Sequence, residues 1–219
     1  MKRRGLFVTL EGIEGSGKSS QASILAAELR RRGHRVILTR EPGGTRAGEA
    51  VRRLFLGPAG RGLDPWAELF LVESARAQHL AEVIRPALAA GRVVICDRFT
   101  DSTLAYQGYG RGLPRRVIRA LHRLAGLRPE PDLTLLFDLP VDEGLARASG
   151  RNSASAGKRR ESRIDTEAAA FHERVRRGYR LIARREPSRV ELIPGSADRR
   201  SIGGIVLSRV TRRLAPLRG

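Results

Sequence analysis

Five short apolar runs alternate along the chain with longer segments whose apolar residues recur at helical spacing. The runs are LFVTL (6–10), RVILTR (35–40), RVVICDR (92–98), DLTLLFDL (132–139) and RVELIPG (189–195). Uniformly apolar strands that alternate with helices are typical of βαβ units, in which helices cover both faces of a parallel sheet. The pattern therefore predicts an α/β fold in three layers, with a parallel sheet of about five strands.

Three segments show helical periodicity. The first runs from Lys18 to about Arg32 and stops at Gly33, the second follows Pro65 and ends before Gly91, and the third covers residues 165–186. Between strand and helix, ASGRNSASAGKRRESR (148–163) is rich in Ser, Gly and Arg and lacks apolar periodicity. We expect one domain over residues 1–219 with a mobile lid at about 148–165.

Composition narrows the protein class. The chain has 219 residues, of which 41% are hydrophobic and 30% charged, as in soluble globular proteins. Its apolar runs fall far short of the ~20 residues that span a bilayer, and its basic start lacks a signal peptide's long apolar stretch. The single cysteine, Cys96, excludes an internal disulfide framework and suits a reducing compartment, so we expect a cytoplasmic protein without membrane partners.

The net charge of +19 is concentrated late in the chain, with 19 basic and 7 acidic residues from Arg147 onward. A basic surface can bind nucleic acid, but polyphosphate substrates also favour positive charge. Arginine is used throughout almost to the exclusion of lysine, as a compositional bias would produce. We therefore do not expect a nucleic-acid partner.

The strongest motif is the glycine-rich stretch GIEGSGKS, which lies between a predicted strand and a predicted helix. In such a P-loop, backbone N–H groups converge on phosphate oxygens, the lysine reaches the β and γ phosphates, and the last serine binds Mg²⁺. The residues expected to bind ATP are Gly12, Ile13, Glu14, Gly15, Ser16, Gly17, Lys18, Ser19 and Ser20.

Other motifs decide between the chemistries that use a P-loop. An N-K-x-D motif is absent, which argues against a GTPase. Asp97 at the end of its strand is followed by Arg98 and not by the second carboxylate common in motor ATPases. An arginine at a strand's carboxyl end could hold a second phosphorylated substrate. This favours phosphoryl transfer between two nucleotides.

TREPGGT (39–45), DRF (97–99) and STLAYQG (102–108) resemble the bacterial thymidylate kinases, in matching order and with continuing similarity to at least Tyr179. Adenylate and guanylate kinases share the fold but not these loops. The resemblance implies a P-loop NTPase fold, Mg²⁺-dependent transfer of phosphate from ATP to dTMP in dTTP synthesis, and a homodimer. A kinase for another deoxynucleotide, or a nucleotide-dependent nucleic-acid-binding protein, remains an alternative.

The resemblance also implies residue roles. Lys18, Asp97, Arg98 and one lid arginine would be catalytic, with Ser19 and Asp97 at the metal. The substrate-binding residues would be Glu14, Glu41, Pro42, Arg52, Val72, Arg76, Arg98, Thr103, Tyr106 and Gln107. Of these, Arg52 and Arg98 would hold the acceptor phosphate, Arg76 the thymine O4, Thr103 and Gln107 the base edge, and Tyr106 the sugar. Pro42 would follow a cis peptide.

One position departs from the usual family pattern, and the P-loop distinguishes between two family branches. Val72 stands where the family usually places a phenylalanine that stacks on the base, and Phe70 points about 200° away around the helix. The P-loop also lacks the arginine that one family branch carries there, so the lid must supply the cation. The candidates are Arg151, Lys158, Arg159, Arg160 and Arg163, of which we favour Arg163 because RID (163–165) resembles the family's lid motif.

Overall fold

The computed structural model describes residues 4–154 and 163–214, with the side chains of 151–154 left outside the description. A single parallel sheet contains β1 (Phe7–Glu11), β2 (Val36–Arg40), β3 (Val93–Asp97), β4 (Leu133–Asp138) and β5 (Val190–Pro194). The strand order is β2-β3-β1-β4-β5. The predicted five-stranded α/β fold is confirmed.

The strand register brings the carboxyl ends of the strands to one edge of the sheet. Asp97 at the end of β3 lies opposite Leu10 of β1 and Arg40 of β2. β1 is the central strand. The chain first forms β2 and β3 on one side of β1 and then crosses to form β4 and β5 on the other side. Ligands of open α/β sheets bind outside the carboxyl ends of the strands at such a reversal of strand order.

Nine α-helices surround the sheet within the described residues. They are α1 (Lys18–Arg31), α2 (Arg46–Leu56), α3 (Pro65–His79), α4 (Arg85–Ala89), α5 (Thr100–Thr103), α6 (Arg115–Leu124), α7 (Val141–Ala154), α8 (Ala169–Arg185) and α9 (Arg199–Leu214). None of these helices is long and apolar enough to cross a membrane.

Two π-helical runs interrupt the regular helices. Leu80–Ile84 joins α3 to α4, so the long pattern after Pro65 is one continuous helical segment, as predicted. Leu104–Gly110 continues α5 and contains most of the STLAYQG motif. π-Helical turns are rare and occur frequently at functional sites. Apolar periodicity did not distinguish them from α-helix.

The sheet is packed on both faces. On one face Leu25 of α1 and Val206 of α9 join Leu10 and Ile95 of the strands in a buried cluster. On the other face α3, the second π-helical run and α8 pack together around residues such as Val175. α3 and the second π-helical run carry Arg76, Tyr106 and Gln107, which are among the candidate site residues.

The expected lid is described only in part. Residues 148–154 belong to α7, so this part of the segment is helical although its sequence lacks apolar periodicity. Ala148 is buried, which means that the inner face of α7 continues into this segment. Residues 155–162, which include Lys158, Arg159 and Arg160, lie outside the described part, as does the side chain of Arg151.

Candidate active site

The P-loop joins β1 to α1, whose first residue is Lys18. Gly15 adopts a left-handed conformation (φ 73°), and a Cβ at this position would lie 2.0 Å from the carbonyl oxygen of Gly144 on α7. The loop therefore fits against α7 only with glycine at this position. The loop leads directly into the N-terminus of α1, and backbone N–H groups at a helix N-terminus stabilise anions.

Lys18 lies inside the loop that precedes it. Its Nζ donates to the carbonyl oxygen of Ile13 at 2.6 Å and to Ser16 Oγ at 3.1 Å, with the residue only 6% exposed. Burial, together with the positive charge of Arg98, lowers the pKa of Lys18 to about 8. A phosphate bound in the loop would raise the pKa of Lys18 again, because its negative charge would stabilise the charged lysine.

The two residues expected to hold a metal meet at the end of β3. The hydroxyl of Ser19 donates to Asp97 Oδ2. Oδ1 of Asp97 is buried and has no hydrogen-bond partner among the described residues. Hydroxyl and carboxylate oxygens are the ligands that Mg²⁺ prefers, and the unpartnered oxygen is available to it. The residues present therefore fit a magnesium ion.

Arg98 connects the P-loop to the helical run that carries Tyr106. Its Nη1 donates to the carbonyl oxygen of Gly12 at 3.0 Å and its Nη2 to Glu14 Oε1 at 2.9 Å. The guanidinium also lies 4.9 Å from the ring centre of Tyr106. Arg98 has a φ of 73°, which is uncommon for a residue with a side chain. This conformation turns the chain sharply at the end of β3.

Glu14 is held by side chains from three other elements. Tyr106 donates to its Oε1 at 2.6 Å, and His172 Nδ1 lies 3.3 Å from its Oε2. Burial disfavours its charge, but Arg98, His172 and Lys18 outweigh burial and hold the pKa of Glu14 well below its usual range. Glu14 is therefore a charged acceptor at neutral pH between the P-loop and α8. His172 was missed in the sequence.

Glu11, the last residue of β1, was also missed. Its carboxyl accepts from the backbone N–H of Phe99 at 2.7 Å, from Ser102 Oγ at 2.6 Å and from the Tyr179 hydroxyl at 2.8 Å. Both hydroxyls in turn accept from Arg98. Burial, together with the charge of Asp101, raises the pKa of Glu11 to about 7. The sequence signal was a charged residue directly after a uniformly apolar strand.

Arg52 lies beside the TREPGG loop. Its Nη1 donates to the carbonyl oxygen of Pro42 at 2.9 Å. Burial and the nearby charges of Arg40 and Arg98 lower its pKa, although Glu49 and Asp97 act in the opposite direction. A bound anion would offset the repulsion between these neighbouring arginines, because an opposite charge favours the charged form of each. The peptide bond before Pro42 is cis, as the resemblance implied.

Arg76 is fixed on three sides. Its Nε donates to Glu41 Oε2 at 2.7 Å, and its Nη1 donates to Glu73 Oε1 at 2.7 Å and to Thr103 Oγ1 at 2.9 Å. Arg76 is 2% exposed, and although burial disfavours its charge, Glu41 and Glu73 raise its pKa. His79 Nδ1 lies 3.0 Å from the other oxygen of Glu41. The geometry orients Arg76 firmly beside Thr103.

Val72 and Phe70 lie on different faces of α3. Val72 is 8% exposed and belongs to the cluster that α3 forms with α8, whereas Phe70 is 56% exposed. Phe70 contacts Trp66, with ring centres 6.3 Å apart. Phe70 therefore does not occupy the place of the aromatic residue that Val72 replaces.

The structure places Arg163 away from the P-loop contacts just described. Its Nη1 donates to Glu68 Oε1 at 2.6 Å and its Nε to the carbonyl oxygen of Phe55 at 2.5 Å. Its Nη2 is buried and has no hydrogen-bond partner among the described residues. Glu68 also accepts from Gln107 Nε2 at 3.2 Å and from Arg111. Neither Glu68 nor Arg111 was singled out in the sequence.

The arrangement is suited to phosphoryl transfer. Arg98 contacts the P-loop at Gly12 and Glu14, and its charge also acts on Arg52. Ser19 and Asp97 meet at the end of β3. Charge-assisted contacts of this kind align two phosphates and stabilise negative charge that develops between them.

Comparisons with known proteins agree with this geometry. The family profile described as "Thymidylate kinase" matches residues 10–201. The thymidylate kinase of Desulfovibrio desulfuricans is 56% identical over 87% of this chain and 88% of its own, and that of Trichlorobacter lovleyi is 48% identical over 96% and 99%. The crystal structure of thymidylate kinase from Ehrlichia chaffeensis has a TM-score of 0.75 at 34% identity, covering 95% and 99% of the two chains. The chain belongs to the thymidylate kinase family.

Proposed function

We propose that this enzyme transfers the γ-phosphoryl group of ATP to dTMP and so forms dTDP for dTTP synthesis. The observation that carries the proposal is the position of Arg98. One guanidinium contacts the P-loop through Gly12 and Glu14 and also contacts Ser102 and Tyr179 in the wall that faces the loop. A donor phosphate and an acceptor phosphate on either side of Arg98 would meet in line.

The donor would lie with its β and γ phosphates on residues 12–20. The N–H groups of the loop and the N-terminus of α1 would bind the phosphate oxygens, and Lys18 would exchange its contact with Ile13 for a contact with the γ phosphate. Ser19 and Asp97 would hold Mg²⁺. When bound, this ion neutralises charge on the transferring phosphates and fixes their geometry.

The acceptor phosphate would be bound by Arg98 and Arg52. A phosphate dianion is nucleophilic at neutral pH, so the transfer requires no general base. The task of these side chains is to align the acceptor oxygen and to stabilise the transition state electrostatically. Glu11 supports this task indirectly, because it binds the two hydroxyl groups that contact Arg98.

Arg163 is the cation that we propose for the transition state. Its guanidinium is buried against Glu68 and Phe55, so contact with a nucleotide requires the side chain to move. A lid at about residues 148–165 that closes over bound ATP would provide that movement. Closure would also exclude water from the transferring phosphoryl group.

The base would be read by Arg76, Thr103 and Gln107, and the sugar would pack against Tyr106. The hydroxyl of Tyr106 is fixed by Glu14, which holds the ring in place against a 2′-hydroxyl group. The buried, aliphatic Val72 favours looser base recognition and keeps a kinase for another deoxynucleotide as the second candidate. Turnover of competing monophosphates distinguishes the two functions.

A homodimer is part of the proposal. Trp66 and Phe70 form an exposed apolar pair on α3, with 37% and 56% of their surface accessible. A second copy of the chain would cover such a surface. Sedimentation analysis of wild-type protein and of a Phe70→Glu variant tests this assembly. We also propose a cytoplasmic location, which the single, buried Cys96 supports.

A coupled assay that measures ADP release after dTMP is added tests the proposed function. With ATP, Mg²⁺ and dTMP, wild-type protein should release ADP and form dTDP. Arg98→Ala should lower kcat/KM for dTMP by about 10²-fold or more, because a charged contact to the transferring group is lost. Arg116→Ala, a change at an exposed arginine of α6, is the matched control. An Arg98→Ala enzyme as active as that control would contradict the proposal.

A further inference from the structure

Glu68 lies between Gln107, which the proposed function places at the base, and Arg163, which it places in the lid. It is 1% exposed. Its Oε2 accepts from Gln107 Nε2 at 3.2 Å and from Arg111 Nε at 3.1 Å, and its Oε1 accepts from Arg111 Nη2 at 2.9 Å and Arg163 Nη1 at 2.6 Å. The carboxylate thus has one neutral and two charged donors.

The contact with Glu68 determines which way the amide of Gln107 faces. A side-chain amide has an oxygen that accepts and an NH₂ group that donates, on opposite sides of the same carbon. Glu68, with two arginines on its carboxylate, can only accept. Gln107 must therefore turn its NH₂ group towards Glu68 and its oxygen away from it. The opposite orientation would place two oxygens against each other in a buried site.

Gln107 lies on the side of the helical run that also carries Thr103. These two residues are four apart in one continuous helical segment, so they share a face. Thr103 binds Arg76, which fixes the position of that face relative to α3. The Gln107 amide is therefore on the same face as the Thr103 hydroxyl that binds Arg76, where the proposed function places the edge of the base.

We propose that Glu68 is a specificity-determining positioning residue, which selects thymine over cytosine by fixing the orientation of the Gln107 amide. The inference rests on the proposed function. Thymine carries a donor at N3, which pairs with the amide oxygen of Gln107. Cytosine carries an acceptor at N3, which would meet that oxygen without a hydrogen bond. A freely rotating amide would accept either base.

The test measures kcat/KM for dTMP and for dCMP in Glu68→Gln and Glu68→Asp. A glutamine at position 68 can donate as well as accept, and an aspartate withdraws the carboxylate from Gln107 by about one C–C bond. A hydrogen bond to a charged acceptor corresponds to a preference of at least about tenfold. The dTMP:dCMP ratio should therefore fall about tenfold or more in both variants, mainly through a gain in dCMP turnover.

Arg111→Met is the matched control, because it removes a partner from the same carboxylate and leaves the Gln107 contact in place. Its melting temperature should fall, and its dTMP:dCMP ratio should stay at the wild-type value. An equal fall of the ratio in Arg111→Met and Glu68→Gln would overturn the proposal, since general loosening would then explain both. A ratio within threefold of wild type in both Glu68 variants would also overturn it.

A double-mutant cycle with Gln107→Leu isolates the route of the effect. If Glu68 acts through Gln107, then Glu68→Gln changes the ratio little in the Gln107→Leu background. A full effect in that background would mean that Glu68 acts elsewhere. These outcomes are separate from the proposed function, because a wild-type enzyme that fails to phosphorylate dTMP would refute that function before any variant is compared.

Discussion

Glu11 makes the stability of this protein depend on pH in a direction that can be worked out from its surroundings. The carboxyl is fully buried beneath the phosphate-binding loop, close to Asp101, and its pKa rises from the ordinary value of 4.5 to about 7. The change to test is Glu11→Gln. Its amide oxygen can still accept from Phe99 N–H, and its NH₂ group can donate to the hydroxyls of Ser102 and Tyr179.

The direction in which the free energy of unfolding changes with pH follows from proton binding. Between pH 4.5 and pH 7 the folded state retains the proton on Glu11 while the unfolded chain has released it, so the free energy of unfolding falls as the pH rises through this window. Each pKa unit corresponds to about 1.4 kcal/mol, so the loss reaches about 3 kcal/mol above pH 7. Glutamine does not titrate, and the variant should lack this loss.

Urea denaturation of both proteins at pH 5, 6, 7 and 8 measures the effect. The difference in unfolding free energy between Glu11→Gln and wild type should shift by about 2 to 3 kcal/mol in favour of the variant between pH 5 and pH 8. Lost or distorted hydrogen bonds cancel, because they contribute equally at each pH. A difference that stays constant within about 0.5 kcal/mol would refute the reasoning and would mean that Glu11 is ionised in the folded protein at low pH.

Three further predictions concern the site. Val72→Phe should lower the Michaelis constant for dTMP, since base–aromatic stacking contributes roughly 1–3 kcal/mol; a wild-type constant already as low as that of the variant would contradict this. Arg163→Ala should lower kcat by roughly 10²-fold, and a loss of less than threefold in steady-state assays would move the role to Arg159 or Arg160. Gly15→Ala should lower the unfolding free energy by more than about 1 kcal/mol and weaken ATP binding, because alanine is strained at this φ and collides with Gly144. Calorimetry measures the stability and nucleotide titration measures the affinity. Unchanged values in both would contradict the close packing.

The fold followed from the sequence because its determinants are local. Each strand of the sheet is a short apolar run, and alternation with helical periodicity leaves a parallel sheet as the natural solution. The meeting of Ser19 and Asp97 was predictable for the same reason. A P-loop follows one strand, the acid ends another, and the carboxyl ends of parallel strands share an edge.

The supporting network was not predictable, because it depends on contacts between distant residues. Glu11 meets Tyr179 across 168 positions, and Gln107 meets Glu68 across 39. Apolar periodicity indicates which face of a helix or strand is buried. It does not indicate which polar side chain of another element will contact that face. The left-handed backbone of Arg98 was equally inaccessible, since it is imposed by tertiary contacts against the local preference.

The central claim is that the cleft recognises thymidylate as the phosphoryl acceptor. The most direct measurement compares ADP release by the wild-type enzyme with dTMP, dUMP, dCMP and dGMP at equal concentrations of ATP and Mg²⁺. The account predicts the highest kcat/KM for dTMP, and dCMP at least about tenfold below it. Turnover of dCMP or dGMP that equals or exceeds that of dTMP would contradict the account.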